Sequence, residues 1–283
     1  SFLIFRYAPL AIDNGIYGVG APGSKTATRF HNTILVGDPG TDGSSNDGDA
    51  GQTGASPMNY IPNPESSSSN KWDILLFEDD RAFTYVIGDA SKAYKPARLT
   101  TYVRKFLYVK PDLFLVLDRI VLPTSAYPIR WLLQADNNPT VFGNQITITN
   151  GNGRLFAKTL LPGAVTLSVR TVFSGVAQYG NGNYRIEVVP SSNRTEEYFL
   201  HVLWATEAQA TTMPTVTSLA TVSGNLVGAS VSSSVILLSK TGSVDARETY
   251  SVSSSGALNH LIGDLLPGGG YGIYRDGLLM GSP

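Results

Sequence analysis

The chain has 283 residues, a formal net charge of −1 and no cysteine. This length suffices for one large β domain, or for two unequal domains, with a substantial hydrophobic core. The absence of cysteine excludes disulfides, thiolate metal sites and cysteine nucleophiles. Acidic and basic residues are nearly balanced and form no long runs, so we expect no nucleic-acid partner and no membrane partner.

The sequence begins with a strand signature and not with an initiating methionine. Residues 2–5 are apolar and aromatic, and no turn or cap residue precedes them. We therefore expect further polypeptide upstream, and the edge of this first strand is a template for pairing with a missing domain or with another chain. Few charged residues together with many Ser, Thr, Gly and Tyr are typical of a bacterial secreted or periplasmic protein.

Two strand-like segments near the amino terminus, residues 9–17 and 27–36, carry an aspartate and one of only three histidines. Read with a period of two, the second segment places Arg29 and His31 on one face of a strand. Zinc binds imidazole nitrogen and carboxylate oxygen, so Asp13 and His31 are candidate metal ligands by type. The alternatives are an ordinary Asp-Asn-Gly turn and a histidine that makes only a hydrogen bond.

Arg29 and Asn32 flank His31 and are candidate substrate-binding residues. The fork of an arginine side chain matches a carboxylate, so these side chains would reach an anionic sugar if this face borders a cleft. The alternative is that they are polar residues on the surface of a strand.

The longest irregular stretch covers residues 37–70 and contains aspartates at positions 38, 42, 47 and 49. A loop of this length is unusual in a compact domain and is either functional or mobile. Its carboxylates and backbone carbonyls are the hard oxygen donors that calcium prefers, but their spacing does not match an EF-hand. The alternative interpretation is a solvated loop without a metal.

Short apolar or alternating runs separated by turn residues continue through the rest of the chain. They are rich in Val, Ile, Leu, Thr, Tyr and Phe, and no sustained 3.6-residue periodicity occurs. The clearest predicted hairpin pairs Tyr102–Val109 with Leu113–Ile120, because the intervening Lys-Pro-Asp suits a turn. Asn150–Gly153 and Gly180–Asn183 are further hairpin turn signals, since Asn and Gly tolerate positive φ.

The composition changes after Ala205, where aromatic residues become sparse and Ser, Thr and Ala become more frequent. We therefore predict an all-β protein with two domains. Residues 1–208 would form a large antiparallel β-sandwich, and residues 209–283 would form a smaller carboxy-terminal β domain.

Four segments together resemble the β-sandwich part of the heparinase II/III-like polysaccharide lyases. They are Pro9–Tyr17, Ala27–Val36, Gly88–Tyr94 and Val103–Ile120. Tyr198–Leu203 and Leu265–Tyr271 fit later strands of that family more loosely. The α-helical toroid that precedes the sandwich in the family is absent from this sequence.

The resemblance implies a function and a cofactor. Members of this family cleave uronic-acid-containing, acidic polysaccharides by β-elimination, with His and Tyr as the usual acid and base. Asp13 and His31 match the aspartate and histidine that hold a structural zinc ion, whose further histidine ligand lies upstream of Ser1. Most catalytic groups of the family lie on the helical domain, so the resemblance assigns no catalytic residue here and leaves open whether the chain alone is an enzyme.

A second hypothesis is a stand-alone carbohydrate-binding or extracellular structural β module without catalysis. An exposed strip of Trp and Tyr side chains would favour it. Trp131 and Trp204 lie within apolar runs, which predicts that they pack in the core. The sequence does not identify the polysaccharide, because fold does not fix specificity.

Overall fold

The computed structural model describes residues 1–13, 28–37, 72–94, 96–172 and 184–281. These residues form β-strands and two short 3-10 turns, Thr28–Phe30 and Ser91–Ala93, and contain no α-helix. The predicted all-β class is confirmed. The chain divides into two compact units, Ser1–Met213 and Pro214–Pro283, whereas the change in composition had suggested a division at residue 208.

The first unit contains fourteen of the strands. In chain order they are β1 Ile4–Phe5, β2 Pro9–Ala11, β3 Ile34–Val36, β4 Asp73–Asp79, β5 Phe83–Asp89, β6 Thr101–Val109, β7 Leu113–Val121, β8 Ile129–Ala135, β9 Thr140–Phe142, β10 Gln145–Asn150, β11 Gly153–Leu161, β12 Val165–Thr171, β13 Tyr184–Pro190 and β14 Glu196–Glu207. Eight of them form a large sheet in the order β4-β5-β6-β7-β14-β11-β10-β9, and four form a small sheet in the order β12-β13-β8-β3.

Local pairing follows the turn signals of the sequence. The hairpin β6–β7 runs antiparallel from Val109 opposite Leu113 to Thr101 opposite Val121, which confirms the predicted pair. The hairpin β10–β11 closes at Asn150 opposite Gly153, with Gly151 at a φ of +50°. The third predicted turn, residues 180–183, lies outside the described residues, as do residues 38–71.

The hydrophobic core lies between the two sheets of the first unit. The small sheet contributes Trp131 and Val188, the large sheet contributes Val116 and Phe199, and all four are fully buried. Strand β7 is apolar at consecutive positions because its centre is covered on both faces.

One end of the large sheet presents apolar side chains to solvent. In the register of β4, β5 and β6, Phe77 lies opposite Val86, and Val86 lies opposite Phe106. These residues share the face that carries the core farther along the sheet, yet Ile74 and Phe77 are 65% and 64% exposed. We call β4, β5 and the adjoining part of β6 the overhang.

The segment 27–36 differs from its prediction as a single strand. Thr28–Phe30 is a 3-10 turn and only Ile34–Val36 is a strand. The physical reason is the Asn32 side chain, whose Oδ1 accepts a hydrogen bond from the backbone N–H of Gln134 (2.7 Å) where a strand carbonyl would otherwise serve. Arg29 and His31 therefore do not lie on one face of a strand.

The second unit contains the remaining six strands: β15 Val216–Ala220, β16 Leu226–Val231, β17 Ser234–Ser239, β18 Asn259–Ile262, β19 Ile273–Arg275 and β20 Leu278–Gly281. The first four form one sheet in chain order, with β17 and β18 parallel, and the last two form a separate hairpin. Gly228 permits close pairing of β16 with β17, because a Cβ there would lie 1.8 Å from the carbonyl oxygen of Ile236.

Candidate metal site and its surroundings

His31 and Asp13 meet at the surface of the first unit. The Nδ1 atom of His31 lies 3.1 Å from Oδ1 of Asp13, and their side chains are 16% and 37% exposed. Burial acts to raise the pKa of Asp13, but hydrogen bonds from His31 and Ser1 outweigh burial and hold this pKa below its usual value. The structure therefore brings together the two residues that the sequence nominated as metal ligands.

The geometry of this pair fits two corners of a zinc shell. With Zn–N and Zn–O bonds of about 2.0–2.2 Å, neighbouring ligand atoms of a tetrahedral site lie about 3.3 Å apart, close to the separation of Nδ1 and Oδ1. Residues 1–13, 28–37, 72–94, 96–172 and 184–281 contain no group of three or more His, Cys, Asp and Glu side chains that could hold a metal. Zinc binding through Asp13 and His31 stays a prediction that requires further ligands.

The buried Asn32 side chain helps to position Asp13 and His31. Its side-chain Nδ2 donates to the carbonyl oxygens of Phe2 (2.8 Å) and Ile12 (3.1 Å), and the residue is fully buried. Asn32 thereby fixes Ile12, the neighbour of Asp13, to the turn that carries His31. Gln134 supports the same turn, because its Nε2 donates to the carbonyl oxygens of Arg29 (3.1 Å) and His31 (3.2 Å).

Arg29 and Asn32 were nominated for contact with an acidic saccharide on the assumption of an exposed strand face. Arg29 is 1% exposed, and its guanidinium lies over the Phe30 ring, 5.1 Å from the ring centroid. The described geometry gives Asn32 a positioning role, and direct contact of either side chain with a saccharide stays a prediction.

A buried ion pair continues from this turn into the core. Arg104 binds Asp118 through Nε–Oδ1 (2.7 Å) and Nη2–Oδ2 (2.8 Å), and its Nη1 donates to the carbonyl oxygen of Asn32 (2.6 Å). The indole N–H of Trp131 donates to Asp118 as well (3.0 Å). No sequence motif marks this ion pair, although the predicted β6–β7 hairpin places Arg104 opposite Asp118.

His201 lies deeper in the same region. Its ring stacks on that of Trp131, with centroids 3.7 Å apart, and its Nδ1 is 3.2 Å from the hydroxyl of Thr159. Burial, followed by the positive charge of Arg104, holds the pKa of His201 well below its usual value. This histidine is therefore neutral in the folded protein near neutral pH.

A cavity of about 450 Å³ lies between the overhang and the amino-terminal residues. It is lined by Phe2, Trp72, Ile74, Val86, Arg104 and Phe106, among others. Trp72 is 65% exposed, whereas Trp131 is fully buried, as predicted, and Trp204 is half-buried against Phe156. The cavity wall is thus largely aromatic and apolar, with Arg104 among the lining residues.

This arrangement is similar to a known fold, the β-sandwich part of heparinase III and heparan sulfate lyase structures. A mutant of the heparan sulfate lyase HepC from Pedobacter heparinus matches 88% of this chain at 13% sequence identity and a TM-score of 0.56. A heparinase III structure with methylated lysines matches 76% of the chain at 11% identity and a TM-score of 0.54. At these identities the likeness concerns the fold alone.

The match covers only part of those structures. The chain spans 35% of the HepC mutant and 31% of the heparinase III structure. No family model matches this sequence, and no curated protein is significantly similar to it. Among the described residues there is no helix long and apolar enough to cross a membrane.

Proposed function

We propose that this chain is the β-sandwich part of a polysaccharide lyase that cleaves uronic-acid-containing polysaccharide by β-elimination. The observation that carries the proposal is the fold, which is shared with heparan sulfate lyase structures about three times longer than the matched region. In the complete protein the sandwich would line one side of the substrate cleft. We further propose a secreted or periplasmic bacterial location, where such polymers are accessible.

β-Elimination needs a base near the proton α to the uronate carboxylate, an acid for the leaving oxygen and neutralisation of the carboxylate. The three histidines lie in different surroundings in the described structure. His31 binds Asp13, His201 is buried, and His260 bonds the Tyr250 hydroxyl in the second unit. Because most catalytic groups of the resembled family lie on its helical domain, and this chain spans only 31–35% of the matched structures, we place the catalytic groups in polypeptide outside this chain and expect the chain alone to be inactive.

The proposed role of the metal is structural. Asp13 and His31 would supply two zinc ligands, and the third would come from a histidine upstream of Ser1. Zinc would then tie the upstream polypeptide to the turn that Asn32 and Gln134 already hold. Bound zinc would supply rigidity at this junction and no reaction chemistry.

The overhang is the proposed contact surface for the missing domain. Ile74 and Phe77 offer apolar area beside Trp72 without a cover in the described structure. Large exposed apolar patches usually mark interaction sites. A helical domain that packs here would border the cavity that reaches Arg104.

The decisive experiment compares this chain with the native polypeptide from its source. We expect the native polypeptide to have a larger mass, with a histidine shortly upstream of Ser1. We expect it to release unsaturated uronate products from an acidic polysaccharide, and the 283-residue chain to release none. Robust lyase activity of the isolated chain would contradict the proposal that the catalytic groups lie outside it.

Trp72 favours a second candidate function, a stand-alone carbohydrate-binding module. Its exposed indole lines the cavity and offers a stacking surface for a sugar ring. A native mass equal to that of this chain, with glycan binding and no turnover, would support this candidate over the first.

A further inference from the structure

Three arginines surround one buried glutamate on the small sheet. Glu187 of β13 is 1% exposed; Arg185 Nη2 lies 2.8 Å from its Oε1, and Arg170 Nε lies 3.1 Å from its Oε2. Arg130 Nε lies 3.5 Å from the same Oε2 and donates through Nη1 to the carbonyl oxygen of Gly37. The metal site and the proposed lyase chemistry use none of these side chains.

The strand register places two of these arginines directly opposite each other, which does not favour stability. Arg170 of β12 lies directly opposite Arg185 of β13, and like charges in directly opposed positions destabilise a sheet. Glu187 carries one negative charge, and Arg185 already engages it through both Nε (3.0 Å) and Nη2. With Arg130 and Arg170, three guanidinium groups therefore surround this one carboxylate.

The Arg170 guanidinium is accessible to a ligand. The Arg170 side chain is 59% exposed, whereas that of Arg185 is 3% exposed. Val165, Leu167 and Val169 pack against the core, so the alternate residues of β12 face away from it. Thr166 and Ser168 accordingly lie on the outer face with Arg170 and place hydroxyl groups along the same strand.

Buried hydrogen bonds hold Arg185 and Glu187 in place. Besides binding Glu187, Arg185 donates through Nη1 to the carbonyl oxygen of Arg29 (3.4 Å), the same oxygen that Gln134 binds. The turn Thr28–Phe30 is thus tied to the small sheet at this point. Because Glu187 is fixed, it restrains the Arg170 guanidinium before any ligand arrives, which reduces the entropy lost on binding.

We propose that Arg170, with Ser168 and Thr166, binds a carboxylate or sulfate group of an acidic polysaccharide on the outer face of β12. The guanidinium would donate a charge-assisted pair of hydrogen bonds to the anionic group, and the hydroxyls would bind neighbouring sugar hydroxyls. The choice of polymer rests on the proposed function. The site lies on the small sheet, whereas the overhang belongs to the large sheet.

The test measures binding of a heparan sulfate oligosaccharide and of an unsulfated uronate oligosaccharide to the full 283-residue chain by titration calorimetry. We expect Arg170→Gln to weaken binding of at least one of them about tenfold, as for loss of a charge-assisted hydrogen bond. Arg119→Gln is the matched control, because Arg119 is also a strand arginine that pairs with a glutamate, Glu196, at 2.9 Å. Its affinity should stay within about twofold of the unchanged chain.

Thermal unfolding and sulfate binding complete the test of Arg170. Thermal unfolding shows whether Arg170→Gln still folds, because the change removes both the ion pair with Glu187 and the like-charge pair with Arg185. Inorganic sulfate should bind far more weakly than either oligosaccharide, and equal binding would reduce the site to a general anion site and overturn the proposal. Equal oligosaccharide affinity of Arg170→Gln and the unchanged chain would overturn it as well, while lyase activity of the longer native polypeptide would still support the proposed function.

Discussion

Replacement of Asn32 by alanine tests whether one buried side chain builds the metal site. The change removes the acceptor of the Gln134 N–H and the donor to the carbonyl oxygens of Phe2 and Ile12, all in a fully buried position. A buried polar group without a partner costs about 1–3 kcal/mol, and such costs are not additive. We expect Asn32→Ala to lower the free energy of unfolding by about 3–5 kcal/mol.

Urea unfolding followed by tryptophan fluorescence measures this loss. All three tryptophans, Trp72, Trp131 and Trp204, belong to the first unit, so the signal reports on the unit that contains Asn32. Asn137→Ala is the matched control, since exposed Asn137 also donates to a backbone carbonyl, that of Thr149. Water can replace that bond, so we expect a loss of about 0–1 kcal/mol in the control.

Asn32→Ala must lower the free energy of unfolding clearly more than the control Asn137→Ala does. If Asn32→Ala lost less than about 1 kcal/mol, as we expect of the control, the buried hydrogen bonds would not hold the turn and the argument would be refuted. Asn32→Asp keeps the acceptor but faces two carbonyl oxygens with a carboxylate, so it should be at least as destabilising as the alanine variant.

Three further predictions concern the interior and the metal. Asp118→Asn should lower the free energy of unfolding by about 3–5 kcal/mol in urea, because it leaves the buried Arg104 charge uncompensated; a loss near zero would contradict this. Because the pKa of His201 is lowered in the folded chain, this histidine takes up a proton on acidification more readily in the unfolded chain than in the folded chain. The contribution of His201 to the free energy of unfolding is therefore fully present above the unfolded pKa of about 6.5, and it falls by up to about 1.4 kcal/mol for each pH unit below that value. As the pH is lowered, the urea midpoint of His201→Gln should therefore fall less than that of the unchanged chain. Zinc at about 100 times its dissociation constant should stabilise the longer native polypeptide by about 2.7 kcal/mol, an increase that His31→Gln should abolish in thermal unfolding.

The sequence predicted those parts of the fold that depend on local turn chemistry. The β6–β7 hairpin and the Asn150–Gly153 turn were correct because Pro, Asn and Gly restrict the backbone at the turn itself. The same register implied that Arg104 would face Asp118. Two opposite charges at paired positions of apolar runs are a sequence signal for a buried ion pair, and Arg104 and Asp118 carry that signal.

The segment around His31 was mispredicted for a reason that no local pattern contains. Its period-two polarity resembles a strand, but Asn32 forms hydrogen bonds with residues 20, 30 and 102 positions away in the sequence. Such long-range bonds override local propensity. Asp13 and His31 could be selected by residue type and by resemblance, whereas their separation of 3.1 Å depends on the packing of the whole unit.

Asn32 joins the turn to both sheets. Its side-chain oxygen accepts from Gln134 in β8 of the small sheet, and its backbone oxygen accepts from Arg104 in β6 of the large sheet. The position of the turn that carries His31 is therefore tied to both sheets of the first unit. If zinc binds here as we propose, Asp13 and His31 would supply two of its ligands, and the binding free energy would serve to recruit the remaining ligands together with the polypeptide that carries them.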